Sequence, residues 1–153
     1  MGRNADIPNV PGDSQTGLSC ALSDLILSSI REAVILTDEN GIVTYWNRAA
    51  TQLFGWSADE MLGRPYSDRY PPGQREWITA QIQERVAGVD WEGEYEDLHK
   101  DGRRVWIHAV VRRIFRPDGS LAGVLGVSQD ITSERQAKRA AAAERALERA
   151  LID

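Results

Sequence analysis

The side chains best suited to acid–base chemistry lie in one short segment, which contains Glu92, Glu94, Glu96 and Asp97. In a β-strand, successive side chains point to opposite faces, so the three glutamates share one face. A row of like charges on one face is typical of a solvated edge strand. It does not form the paired-carboxylate cleft or the nucleophile–base pair of an enzyme. We therefore expect no catalytic residues here.

Residue types that bind metals or act as nucleophiles are few: two histidines and one cysteine. Cys20 lies in an apolar helical stripe, and a lone cysteine forms neither an internal disulfide nor a thiolate metal cluster. His99 lies next to a turn, and both His99 and His108 are predicted to be surface or interface residues. Two histidines without a carboxylate cluster indicate no metal site. The glycines between Gly119 and Gly126 do not lead into a helix, so no phosphate loop is expected.

The composition is typical of a globular protein, with 42% apolar and 27% charged residues among 153. No apolar run approaches the roughly 18 residues that cross a bilayer, and residues 1–17 contain no apolar signal segment. The net charge of -5 opposes contact with nucleic acid phosphates. We expect a soluble, cytoplasmic protein that binds neither membranes nor nucleic acids directly.

The beginning of the chain divides into a polar tail and a helix. Residues 1–17 are predicted to be flexible, and residues 18–31 to form an amphipathic helix because apolar residues recur at helical spacing. A monomer would cover this stripe only in part, so we expect a homodimer. The predicted interface consists of Leu18, Leu22, Leu25, Ile26 and Ile30.

The middle of the chain alternates strand and helix signals. Two strands, at 33–37 and 42–46, flank an Asn-Gly turn that suits a hairpin. Asn47 is placed to cap a helix that ends at Gly55, and Ser57 and Glu60 have capping-box spacing for another. A longer helix is predicted at 74–86, with Trp77, Ile78, Ile82 and Val86 along one face.

Three further strands, at 91–99, 103–115 and 120–131, are separated by Asp-Gly turns and predict an antiparallel meander. Residues 133–153 are rich in alanine, glutamate and arginine, with Leu147 and Leu151 four apart. This composition favours a long solvated helix resembling a coiled coil.

Several local motifs occur in one order along this framework. They are the segments 41–49, 53–57 with Glu60, 62–64, Lys-Asp-Gly at 100–102, 123–127 and Asp-Ile-Thr at 130–132. Together they resemble the PAS family over residues 30–132. The resemblance implies an α+β fold, with a domain at 32–132. Its five-stranded antiparallel sheet would carry short helices on one face, flanked by N- and C-terminal amphipathic helices.

By the same resemblance the chain is a sensory, signal-transducing module. The motif of Asp130, Ile131 and Thr132 would relay changes in the sheet to the C-terminal output helix. Asp130 would anchor the strand end, and Thr132 or Ser133 would cap the helix. The downstream partner would be a histidine kinase of a two-component system, a cyclase or a transcriptional regulator. An interaction module without ligand is the alternative.

Similarity to light-oxygen-voltage members of the family implies which residues line a pocket. The inward set would be Val105, Ile107, Ala109, Val111 and Ser128. Asp97, Ile107 and Ser128 stand where those members place flavin-binding amides, and Trp46, Trp56 and Trp91 are aromatic candidates. His108 alternates with the inward residues and is expected on the outer face with Trp106.

No cofactor is expected from this pattern. The photoactive cysteine of the light-oxygen-voltage members would fall at Tyr66, so flavin–cysteine photochemistry is excluded. Residues 74–88 contain no histidine to bind haem. A self-filled apolar core is expected, with FAD or an apolar ligand such as a fatty acid left open.

Overall fold

The structure is a computed structural model that describes residues 22, 25, 26, 30–88 and 90–152. Five strands form one antiparallel sheet in the order β2-β1-β5-β4-β3. They are β1 (Ala33–Asp38), β2 (Val43–Trp46), β3 (Trp91–Leu98), β4 (Arg104–Phe115) and β5 (Leu121–Asp130). The helices are α1 (Arg48–Phe54), α2 (Ala58–Met61), a 3-10 turn (Tyr66–Arg69), α3 (Pro72–Gly88) and α4 (Thr132–Ile152). The predicted α+β fold is confirmed.

Only part of the predicted N-terminal helix is described. Leu22, Leu25 and Ile26 are helical, whereas Ile30 and Arg31 are not. Leu18 and the predicted tail at 1–17 lie outside the described residues. In the described part of the chain, no helix is long and apolar enough to cross a membrane.

Side-chain alternation sorts the two faces of the sheet as predicted. Along β4, Val105, Ile107 and Ala109 are buried on the inner face, where they join the main core. Along β3, the three glutamates are exposed and the residues between them are covered. Because β3 is an edge strand, this confirms the solvated edge predicted from the glutamate row.

The short helices begin and end at the predicted caps. Asn47 caps α1, where its side-chain oxygen accepts a hydrogen bond from the amide of Ala50. Gly55 ends that helix with a φ of 79°, in the left-handed region. Ser57 and Glu60 form the capping box of α2. The Asn47 side chain also accepts a hydrogen bond from the amide of Val34 in β1, which attaches the start of α1 to the sheet.

The turn between β1 and β2 differs from the prediction in its mechanism. Among the described residues, only glycines have a positive φ, so Asn40 does not adopt one and Gly41 does so alone. The carboxylate of Asp38 accepts hydrogen bonds from the amides of Asn40 and Ile42. The turn therefore depends on Asp38 as much as on glycine.

Helix α3 is placed as predicted, but the prediction that Trp77 belongs to its buried apolar stripe is wrong. Trp77 is 64% exposed, while Ile78 and Ile82 are half-buried. The side chain of Val86 lies outside the described residues. Arg75 anchors the start of α3 by donating to the carbonyls of Tyr70 and Asp68. Beyond that anchor, α3 lies over a cavity and does not bury a full stripe.

Candidate functional site

A cavity of about 480 Å³ lies between the inner face of the sheet and α3. Strands β1, β4 and β5 form its floor, α3 forms one wall, and the turn after β1 and the 3-10 turn form its mouth. Its lining residues are Ile35, Thr37, Asp38, Glu39, Asn40, Gly41, Pro65, Tyr66, Ser67, Thr79, Ile82, Gln83, Tyr95, Ala109, Val111, Leu121, Val124, Gly126 and Ser128.

The structure places three of the nine candidate pocket residues on this cavity: Ala109, Val111 and Ser128. The other six do not line it. They are Val105, Ile107, Trp46, Trp56, Trp91 and Asp97. Val105, Ile107 and Trp46 are buried in the core under α1 and α2, and Trp91 packs beside Tyr95 with ring centroids 5.5 Å apart. The inward direction was correct, but only the part of the inner face beneath α3 borders the cavity.

Asp97 is held in a buried ion pair with Arg69. Its Oδ2 lies 2.8 Å from Nη2 of Arg69, and both side chains are almost fully buried. Its Oδ1 accepts hydrogen bonds from Arg69, from the Tyr70 hydroxyl at 2.8 Å, and from the Leu98 amide at 2.7 Å. Asp97 thus lies away from the cavity lining, and a cofactor-binding role for it stays a prediction.

Three aromatic rings surround the Arg69 guanidinium. Its central carbon lies 4.1 Å from the ring centroid of Phe54, 5.0 Å from that of Tyr66 and 4.4 Å from that of Tyr70. Burial raises the pKa of Tyr70 well above its usual range, and the nearby Tyr66 adds to this shift. The Tyr70 hydroxyl therefore stays protonated and donates to Asp97.

Tyr66 connects this buried cluster with the cavity. Its ring borders Arg69 on one side and the cavity on the other. A molecule in the cavity would therefore contact a side chain that also packs on the ion pair.

A second group of residues joins the last strand to α4. The amide of Ile131 donates to the carbonyl of Trp106 at 2.9 Å, and the amide of Trp106 donates to the Thr132 hydroxyl at 3.1 Å. Asp130 accepts a hydrogen bond from the Thr132 amide at 2.9 Å. The start of α4 is thus attached to β4 through the amide and the carbonyl of Trp106.

The predicted roles at this junction need one correction. The prediction that Thr132 or Ser133 caps α4 is wrong: the Thr132 hydroxyl accepts from β4, and Ser133 already lies inside the first turn of the helix. Asp130 supplies the hydrogen bond to the first helical amide instead. The reason is geometric: Thr132 lies where the turn brings its side chain against the backbone of Trp106.

A contact between Arg135 and Glu94, which the sequence did not predict, completes the junction. The Arg135 guanidinium stacks on the Trp106 ring at 3.6 Å and donates to Glu94 at 2.9 Å. Glu94 is 41 residues from Arg135, and no local pattern marks the contact. The junction therefore connects α4 to both β3 and β4.

The two histidines lie in different surroundings. His108 lies on the outer face as predicted and contacts Glu92 at 3.1 Å. The His99 side chain is only 15% exposed and packs against Gly55, so it is not a surface residue. The described residues contain no group of three metal-binding side chains.

Apolar side chains at both ends of the chain are uncovered. Leu22, Leu25 and Ile26 are each more than half exposed. Along α4 no residue is buried, and Leu147 and Leu151 are 67% and 81% exposed.

Comparison with protein families gives a match to the PAS fold model over residues 22–131. Among curated proteins, Sporulation kinase C of Bacillus subtilis is 27% identical over 115 residues, covering 74% of this chain and 26% of the kinase. The signal transduction histidine-protein kinase AtoS of Escherichia coli is 27% identical over 118 residues, covering 77% of this chain and 19% of the kinase. The chain thus spans about a quarter or less of these relatives.

Solved structures resemble this chain over most of its length. The PAS domain of a protein from Colwellia psychrerythraea has a TM-score of 0.64 and 29% identity, covering 75% of this chain and 98% of that domain. The N-terminal domain of a diguanylate cyclase with a PAS/PAC sensor, from Marinobacter aquaeolei, has a TM-score of 0.55 and 25% identity. It covers 68% of this chain and 98% of its own.

Proposed function

This chain belongs to the PAS family, and on that premise we propose that it acts as a dimeric input module. Changes in its sheet would pass to α4 and from there to an output domain. The observation that carries this proposal is the junction, where the single residue Ile131 separates β5 from α4 and the backbone of Trp106 in β4 bonds to Ile131 and Thr132. A shift of β4 would therefore move the helix start directly.

A histidine kinase is the output domain that the relatives favour. Two of them, from Bacillus subtilis and Escherichia coli, are named as kinases, and the cyclase relative is named with a PAS/PAC sensor. In this proposal the chain supplies input and an attached kinase or cyclase supplies catalysis. We assign no catalytic residue to the chain itself.

Dimerisation rests on the uncovered apolar side chains at the two ends. Burying leucine and isoleucine side chains contributes about 1.5–3 kcal/mol each, so several exposed in one chain favour association. Light scattering at tens of micromolar is expected to give a dimer. If the full chain is a monomer, and the chain lacking residues 1–31 is a monomer as well, this part of the proposal is contradicted.

The relay is tested by substitutions at the junction. Thr132→Val keeps the shape of the side chain and removes the acceptor of the Trp106 amide, which costs about 1–3 kcal/mol if that amide is left unpaired. Asp130→Ala removes the bond to the first helical amide, a cap that contributes about 1 kcal/mol. Both changes should speed hydrogen exchange in the first turns of α4.

The matched control is Ser133→Ala, at an exposed neighbouring position. In a fusion to a kinase output domain, Thr132→Val and Asp130→Ala should also change kinase activity, whereas the control should not. If exchange in α4 and output stay at the unsubstituted level while both variants lose thermal stability, the junction has only a structural role.

A further inference from the structure

We propose that the cavity beneath α3 accepts an uncharged small molecule with an apolar body and one hydrogen-bonding end, such as an alcohol, ketone or amide. It would discriminate against carboxylates and phosphates. This inference rests on the proposed sensory function and specifies the ligand class of the cavity. Its volume, the charges around it and the polar groups on its walls support this ligand class.

The volume and the floor suit an apolar body. About 480 Å³ falls within the roughly 300–1,000 Å³ of small-molecule sites. Ile35, Val111 and Val124 lie on the floor, and Gly126 leaves space between them. A Cβ atom added at Gly126 would approach only the carbonyl oxygen of Ile35, at 3.9 Å. The open space therefore continues to the backbone of β5.

The charges around the cavity oppose an anion. Among the described lining residues the charged ones are Asp38 and Glu39, and both are acidic. Glu39 is paired with Arg116 at 3.1 Å. Arg116 also donates to the Leu121 carbonyl at 2.7 Å, so its guanidinium is committed to the β4–β5 hairpin. A buried anion without a cationic partner loses its hydration uncompensated.

The polar groups on the walls suit a neutral head group. Thr79 and Gln83 face the cavity from α3, and Ser128 faces it from β5. The Thr79 hydroxyl donates to the Arg75 carbonyl at 2.7 Å, which leaves its oxygen able to accept. Hydroxyl and amide side chains donate and accept hydrogen bonds without carrying charge, so they match an alcohol, ketone or amide.

Two ligand classes that the sequence left open are disfavoured on this basis. A fatty acid carries a carboxylate, and FAD carries a pyrophosphate. Either would bring negative charge to a cavity whose described charged residues are acidic. The apolar chain of a fatty acid fits the floor, so replacing only its head group isolates the effect of charge.

The experiment compares two probes of equal chain length, 1-decanol and decanoate, by isothermal titration calorimetry on the full chain at pH 8. At this pH the carboxyl group is ionised. Saturable binding of decanol is expected, with decanoate binding at least about ten-fold more weakly. Decanoate binding as tightly as decanol would overturn the ligand class, and no saturable binding of either probe would overturn the site.

Two pairs of variants locate the binding. Gly126→Leu should abolish decanol binding by filling the cavity, whereas Gly126→Ala should retain it. Gln83→Lys places a cation at the exposed edge of the cavity and should raise the affinity for decanoate at least about ten-fold, whereas Gln83→Met should not. Unchanged decanol binding by a folded Gly126→Leu, or unchanged decanoate binding by Gln83→Lys, would contradict the proposed site.

These outcomes separate the inference from the proposed function. None of the four substitutions touches Trp106, Thr132 or Arg135, so the response of α4 to junction variants can be measured independently. Failure of decanol binding with an intact response of α4 would reject the ligand site or its ligand class and leave the relay standing. Failure of the junction variants with intact decanol binding would reject the relay alone.

Discussion

The two halves of the inner sheet face differ sharply in how they are covered. Under α1 and α2, the core includes Trp46, Phe54 and Met61, and the buried pair of Arg69 and Asp97 borders it. Under α3, the same face borders a cavity of about 480 Å³, and Trp77 on that helix points to solvent. One sheet thus carries a closed half and an open half.

This difference indicates how stability and response are divided. Close packing around a hydrogen-bonded charge pair resists change, because each displaced group loses several partners at once. A helix over a cavity has fewer contacts to lose, so its position can respond to a ligand at low cost. Tyr66 lies at the boundary and contacts both halves.

The largest effect is expected from breaking the charge pair in the closed half. Arg69→Met should lower the free energy of unfolding by about 3–5 kcal/mol, because the Asp97 carboxyl would be left buried without its partner. Denaturant titration measures the change. The double variant Arg69→Met/Asp97→Asn should recover part of the loss, because no buried charge remains.

The control is an exposed ion pair between Arg104 and Glu96, whose arginine side chain is 77% exposed. Arg104→Met should change the free energy of unfolding by less than about 1 kcal/mol. Equal losses for Arg69→Met and Arg104→Met would show that the closed half does not depend on its buried pair.

A smaller effect is expected from two glycines on β5. A Cβ atom at Gly123 would lie 2.1 Å from the Thr37 carbonyl oxygen, whereas one at Gly126 meets nothing closer than 3.9 Å. Gly123→Ala should therefore destabilise by about 1–3 kcal/mol. Gly126→Ala, beside the cavity, should be neutral or stabilise by up to about 1 kcal/mol. Thermal unfolding of both variants measures the difference: the melting temperature should fall for Gly123→Ala and stay the same or rise for Gly126→Ala.

Much of the fold could be predicted because its signals are local. The caps at Asn47 and Gly55 and the capping box of Ser57 and Glu60 each depend on residues within three or four positions. The alternation in β3 and β4 identified the inner face correctly, since its period is fixed by strand geometry. The order of these signals then identified the family.

The site could be predicted only in part because its contacts are distant in sequence. Arginine is rarely buried unless it has a partner, and the partner of Arg69 is Asp97, 28 residues away. The residues next to Arg69 in the sequence therefore do not indicate that it is buried. The bond between Trp106 and Thr132 spans 26 residues. Alternation also says which face a residue takes and not whether a helix covers it, so the candidate pocket residues included core positions.

The smallest effect is expected at Trp77, which the sequence placed on a buried stripe. Because its side chain is 64% exposed, Trp77→Ser should change the free energy of unfolding by less than about 0.5 kcal/mol. Trp46→Ser is the matched variant in the closed half, where the indole is buried and donates to the Trp56 carbonyl at 2.9 Å. It should cost about 3–5 kcal/mol. Denaturant titrations give the loss in free energy of unfolding for each variant, so the same substitution is compared at Trp46 beneath α1 and at Trp77 on α3. A loss at Trp77 approaching that at Trp46 would mean that α3 packs tightly, and the contrast between the two halves would then fail.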